Sequence, residues 1–189
     1  MKQFILAAAI TLVCGAAAAA PAAPASNFYV GAGVGQSEQK YSIEGMNAKD
    51  NETAFLINGG YKFNQNVALE IGYTSFGKLE ESVPNASLSI EPKSFYAAVV
   101  GTYPINEQFA VFGKLGAART RTTLSVSLNG VSDSVKNNDN SVLVGIGASY
   151  AVTSNVDITL EYLNFGKVAK ADGDSIKASQ ITLGARFSF

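Results

Sequence analysis

From Phe28 onward, apolar and polar residues alternate with a period of two, the pattern of strands that keep one face in an apolar medium. The run 60–78 is the clearest case, with Val67, Leu69, Ile71 and Tyr73 on one face and Ala68, Glu70, Gly72 and Thr74 on the other. The run 149–167 repeats this design without a gap. Asn155-Val156 matches Asn66-Val67, Tyr162 matches Tyr73, and Phe165-Gly166-Lys167 matches Phe76-Gly77-Lys78. Eight segments carry strand character: Phe28–Gln36, Thr53–Lys62, Val67–Phe76, Ser94–Tyr103, Phe109–Ala118, Ser141–Ala151, Val156–Phe165 and Ser179–Phe189. Each has about 9–11 residues, the length that crosses a bilayer when a strand is tilted. The pattern predicts an all-β chain, an eight-stranded antiparallel up-and-down transmembrane β-barrel over 26–189.

The two faces differ in charge. One collects Phe, Val, Ile, Leu, Tyr, Ala and Gly from every strand and holds no charged residue; the other carries Glu70, Lys114, Asp157, Glu161 and Arg186 with Asn58, Thr74, Ser94, Thr159, Gln180 and Thr182. A soluble lipocalin-like barrel puts its charged face outside. That arrangement would have to fill a narrow interior with large apolar side chains from all strands at once. A barrel in lipid inverts the faces, because Arg or Lys facing mid-membrane costs about 2–4 kcal/mol. Tyr61, Tyr103 and Tyr150 fall beside three short connections, and Tyr73 and Tyr162 near the opposite strand ends, heights that suit an aromatic belt at each interface.

The connections alternate in length. Short polar turns fall around Asn64, Pro104–Gln108 and Thr153–Asn155, and long polar stretches at 37–52, 77–93, 119–140 and 166–178. Outer-membrane barrels have short periplasmic turns and longer outer loops, so the long stretches are expected to be extracellular loops.

Composition narrows function further. The chain has 189 residues, a net charge of −1 and 14 scattered basic residues, which gives no nucleic-acid footprint. Histidine is absent and the single cysteine is Cys14, which removes the usual zinc ligands and any Ser-His or Cys-His catalytic pair. No cofactor or metal is expected. Residues 1–25 read as a secretory signal, with Lys2 as the positive start, Phe4–Val13 as the apolar core and Ala23-Pro24-Ala25 as the cleavage site. The apolar core is shorter than the roughly 20 residues of a spanning anchor. Val13 before Cys14 does not fit a lipoprotein signal.

The runs GYKFNQNVALEIGYTSFGK and GTYPINEQFAVFGKLGAA, the later EYLNFG and the closing ITLGARFSF resemble the transmembrane domain of OmpA-type proteins and their small eight-stranded relatives. The resemblance covers the mature chain and implies a cell outer-membrane location in a Gram-negative envelope. Phe187 and the terminal Phe189 resemble the C-terminal signal read by the outer-membrane barrel assembly machinery, and that route implies periplasmic chaperones. No peptidoglycan-binding domain follows in the sequence, so the cell-wall tethering of full-length OmpA proteins is not carried over.

An eight-stranded barrel is just wide enough to be filled by side chains. Glu70, Lys114, Glu161 and Arg186 are therefore expected to form a charge network across the lumen, since unpaired charges in a dry interior are expensive. In the OmpA family such a network resembles a gate that re-pairs to pass ions; the alternative is a satisfied polar core that holds the barrel shut, which inward Tyr96 and Phe112 favour. Arg119, Arg121, Lys78 and Lys167 are read as solvated loop charges, with lipopolysaccharide phosphates as the rival partner. Asp172-Gly173-Asp174 lacks the spaced ligands of a calcium site and reads as a turn; Asn137–Asn140 reads as a loop tip. Outer-membrane lipids and lipopolysaccharide are the expected surroundings, with a monomeric state. The expected function is a non-enzymatic envelope barrel that displays surface loops, with weak ion conduction at most; the alternative is an adhesin or ligand-binding surface protein, which deletion of the loops would disable without unfolding the barrel.

Overall fold

The computed structural model describes residues 27–189 apart from 44–45, 78, 84–85, 129–130 and 172–173. Within 39–50, 79–90, 124–136 and 167–176 only the backbone pairing is described. The expected signal segment, Cys14 included, lies outside the described residues.

The described segments are β1 (Phe28–Ile43), β2 (Met46–Lys62), β3 (Val67–Ser75), β4 (Leu79–Val83), β5 (Ala86–Pro104), β6 (Phe109–Leu128), β7 (Val131–Ala151), β8 (Val156–Ala171) and β9 (Asp174–Ser188). Each neighbouring pair is antiparallel, and β1 pairs with both β2 and β9, which closes the sheet on itself. β3 and β4 both pair with β5 and are two pieces of one stave interrupted at Phe76-Gly77, so the barrel has eight staves. Burial alternates as the sequence pattern requires. In β3 the inward Ala68, Glu70 and Thr74 are buried, while the outward Val67, Leu69 and Ile71 are exposed to the lipid side.

Three short connections close one end, at 63–66, 105–108 and 152–155. They share one local device. The Asn64 side-chain oxygen accepts from the backbone N–H of Asn66 and Val67, each at 2.8 Å, and Asn106 accepts from Gln108 at 2.9 Å and Phe109 at 2.7 Å. Thr153 does the same for Asn155 and Val156 at 3.3 and 3.0 Å. Such side-chain-to-backbone bonds hold a tight turn without a ladder partner.

The other end departs from expectation. The polar stretches read as outer loops are largely strand: β1 and β2 stay in register to Ile43↔Met46, and β6 and β7 to Leu128↔Val131. Asn137–Asn140 lie inside β7 rather than at a tip, and Arg119 and Arg121 lie inside β6 rather than beyond it. The physical reason is that a polar hairpin can keep its backbone hydrogen bonds in water. β-branched residues such as Thr122, Thr123, Val126 and Val135 favour that state. A boundary drawn where hydrophobicity stops marks the membrane edge, not the end of the strand. Lys78, Asp172 and Gly173 lie outside the described residues.

The crown above the membrane is not closed all round. The β2–β3 ladder ends at Phe55↔Ser75 and the β7–β8 ladder at Val144↔Asn164, although both partners' hairpins continue. Among the described residues, the crown therefore divides into β4-β5-β6-β7 and β8-β9-β1-β2. Each seam begins at one copy of the repeated Phe-Gly pair. Gly77 and Gly166 have φ of 89° and 62°, the left-handed region that glycine enters without a Cβ penalty, and β8 is irregular between Asn164 and Lys167.

Candidate functional site in the barrel lumen

Glu70 sits near the middle of β3 and is fully buried. Three donors converge on its carboxylate: the Tyr29 hydroxyl on Oε2 at 2.8 Å, the Tyr96 hydroxyl on Oε1 at 2.8 Å, and the Lys114 ammonium on Oε1 at 2.6 Å. Lys114 also donates to Glu161 Oε2 at 2.5 Å. One ammonium thus bridges two carboxylates, and a single cluster ties β1, β3, β5, β6 and β8 together across the lumen. Hydrogen bonds to charged groups are the strong ones, and a buried charge is tolerable only when its bonding capacity is met.

The tyrosines reach Glu70 because glycine stands beside each. Gly60 is the register partner of Tyr29, and Gly72 that of Tyr96. A Cβ at Gly60 would lie 2.3 Å from Tyr29 Cζ, and one at Gly72 would lie 2.3 Å from Tyr96 Cζ. Each ring therefore occupies space that its cross-strand neighbour leaves empty, the close approach that an interior strand glycine marks.

Arg186 stands apart from this bridge and makes no ion pair among the described residues. Its guanidinium carbon lies 4.7 Å from the Tyr29 ring centre and 5.3 Å from that of Phe112, a cation held between aromatic faces. Below it, toward the short turns, opens a polar vestibule of about 310 Å³ lined by Lys62, Thr102, Ser149 and Asp157. The four residues expected to form one network thus divide into a bridged trio of Glu70, Lys114 and Glu161 and one stacked arginine.

Toward the crown the lumen turns apolar. Phe76 and Phe165, both fully buried, pack edge to face at 4.9 Å and 87°, and Phe165 meets Tyr96 at 6.3 Å. Leu56, Leu143 and Leu163 complete the layer. Thr74 donates to Gln180 at 2.7 Å, and Thr120 to Ser94 at 3.1 Å. Among the described residues no group of metal-ligating side chains is assembled.

The expected interface aromatics lie on the outer surface. Tyr61 packs against Phe28 at 5.0 Å and Phe63 at 5.3 Å near the turn end, and Tyr73 packs against Phe95 at 4.8 Å near the crown. Tyr103, Tyr150 and Tyr162 are exposed on the same surface. Phe187 and Phe189 pack at 5.3 Å, and the Phe189 N–H donates to the Phe28 carbonyl at 3.1 Å, across the closure of the barrel.

Residues 23–189 match the family model described as the OmpA-like transmembrane domain. The chain belongs to that family. Outer membrane protein A of Yersinia pseudotuberculosis serotype I is 30% identical over 170 residues, covering 86% of this chain and 48% of that protein. Outer membrane protein P5 of Haemophilus influenzae is 28% identical over 172 residues, covering 82% and 49%. The chain spans about half the length of the curated relatives it matches. Among solved structures, Neisserial surface protein A superposes with a TM-score of 0.59 at 24% identity, covering 88% of this chain and 100% of that one. Ail, the attachment invasion locus protein of Yersinia pestis, solved with the heparin analogue sucrose octasulfate, gives 0.56 at 23%, covering 85% and 99%.

This OmpA-like transmembrane domain is a β-barrel of the Gram-negative outer membrane. Its short-turn end faces the periplasm and its long hairpins face outward. Two parts of the lumen escape sequence reasoning. Tyr29 and its hydroxyl bond to Glu70 depend on cross-strand register, which alternation does not supply. The Phe76–Phe165 contact has a signal in the repeated Phe-Gly-Lys run, but that repeat announces two similar corners without saying that they meet.

Proposed function

We propose that this chain is a non-enzymatic outer-membrane barrel that contributes to envelope integrity and displays its extracellular hairpins, with a lumen that rests closed. The observation that carries the reading is the two-layer filling of the lumen: the Glu70–Lys114–Glu161 bridge, capped toward the crown by Phe76 and Phe165. An ion crossing from the periplasmic vestibule must displace Lys114 from two carboxylates and then pass a largely apolar layer whose few polar groups, Ser37, Thr74 and Gln180, are neutral. The first step costs paired charge in a low dielectric, and the second costs ion desolvation. Any conduction is therefore rare and weak. The absence of histidine from the chain supports the non-enzymatic part, because a Ser-His site cannot be built.

Planar-bilayer recording of refolded protein tests this, comparing wild type with Glu70→Ala and Lys114→Ala. Folded wild type is expected to leave the bilayer silent. Discrete wild-type openings whose size or frequency shifts with both substitutions would make the trio a gate and the protein a small pore.

A further inference from the structure

We propose that the outward face of β5 and β6, just above the membrane edge, binds the phosphate groups of the phosphorylated glycolipid of the outer leaflet, lipid A. The register builds this surface row by row. At the interface row, Tyr73 is opposite Phe95, Phe95 opposite Arg119, and Arg119 opposite Asn140. One row outward, Ser75 is opposite Lys93, Lys93 opposite Arg121, and Arg121 opposite Asn138. One row inward, Ile71, Ala97, Ala117 and Val142 follow in the same order. Three cations thus lie on two adjacent strands at the level where the Tyr73–Phe95 pair places the headgroups.

Lys93, Arg119 and Arg121 are all exposed. Glu91 lies 3.1 Å from Lys93 and holds that ammonium's pKa above its ordinary value. Arg121 Nε donates to the Asn138 side-chain oxygen at 3.1 Å. Arg119 has no ion-pair or hydrogen-bond partner among the described residues. Neither arginine has an ion-pair partner among the described residues, and the two stand at positions about 7 Å apart along β6. Lys93 and Arg121 are directly opposite, a like-charge placement that weakens a ladder until an anion sits between. Guanidinium forks match phosphate geometry in two-point contacts.

The surface beneath fits the rest of such a molecule. Ala97 and Ala117 are exposed small residues directly below Phe95 and Arg119, flanked one row further down by the larger Val99 and Leu115. They leave a shallow apolar recess under the cations, where an acyl chain can lie against the wall while its phosphate meets the arginines. A soluble anion uses the cations alone; a lipid phosphate uses both. That combination commits the surface to a membrane lipid, and the number of cations favours one bearing more than one phosphate.

The test is native mass spectrometry of the refolded barrel in detergent, with heat-modifiable gel migration as the check on folding. The probes are bisphosphorylated lipid A, enzymatically dephosphorylated lipid A, phosphatidylglycerol and inorganic phosphate. Wild type is expected to retain bisphosphorylated lipid A over all three others. Arg119→Gln with Arg121→Gln should weaken that retention by roughly tenfold or more, since each lost bond to a charged group is worth about a decade. Ala117→Phe, which fills the recess and leaves the arginines in place, should weaken lipid A as well, while Lys177→Gln on β9 should change nothing. Equal retention of dephosphorylated lipid A, or no loss in the folded double-arginine variant, would overturn the proposal. So would phosphatidylglycerol binding as tightly as lipid A, or inorganic phosphate displacing lipid A at equal concentration.

Discussion

The lumen holds two layers built on opposite physical principles. The periplasmic layer is polar and discrete: two carboxylates, one shared ammonium and two tyrosine hydroxyls, each with a defined partner. The crown layer is mainly apolar and graded: Phe76, Phe165 and three leucines, whose contribution scales with buried area, beside neutral pairs such as Thr74–Gln180. The polar layer is specific because removing a single member strands the others, and an uncompensated buried charge is costlier than the pair was worth. The apolar layer is tolerant, because its loss is proportional to the atoms removed. Together they fill the lumen from the Lys114 bridge to the Phe76–Phe165 contact.

The contrast can be broken from the polar side first. Lys114→Ala leaves Glu70 and Glu161 facing each other without their cation, and is expected to lower stability by about 4 kcal/mol. The urea midpoint of the gel-shift transition measures it; a change under about 1 kcal/mol would mean that water already hydrates the layer. Phe165→Ala, on the apolar side, should cost about 3 kcal/mol by opening a cavity against Phe76. A double substitution with Phe76→Ala should then cost less than the sum, since the two rings share one contact. The smallest effect is expected from Tyr96→Phe, which removes one of three donors to Glu70 and keeps the ring. About 1–2 kcal/mol is expected, and equality with Lys114→Ala would erase the distinction between losing a bond and losing a charge.

Much of this architecture is legible in the amino-acid sequence. Uncharged outward faces, inward Glu70, Lys114, Glu161 and Arg186, short turns at Asn64, Asn106 and Thr153, and tyrosines near both strand ends all follow from period-two alternation and turn chemistry. The crown is illegible for a physical reason. Hydrophobic alternation reports burial in lipid, and it falls silent where both strand faces meet water, although the ladder of β6 and β7 continues to Leu128↔Val131. Arg119 and Arg121 therefore read as loop residues, which hides their shared face with Leu115 and Ala117.

Local sequence determined the strand faces, the membrane inversion and the closure of the turns, because each depends on a few neighbouring residues and on the solvent they meet. Only the tertiary structure decided who meets whom across the barrel. Tyr29, Tyr96 and Lys114 lie 41, 26 and 44 positions from Glu70 and reach it through register and through the space left by Gly60 and Gly72. Arg186 makes no ion pair with that cluster among the described residues and meets it only through the Tyr29 ring, stacked on Tyr29 and Phe112. Alternation assigns a side chain to a face; its height and its partner come from closing the sheet, a constraint that no stretch of chain carries alone.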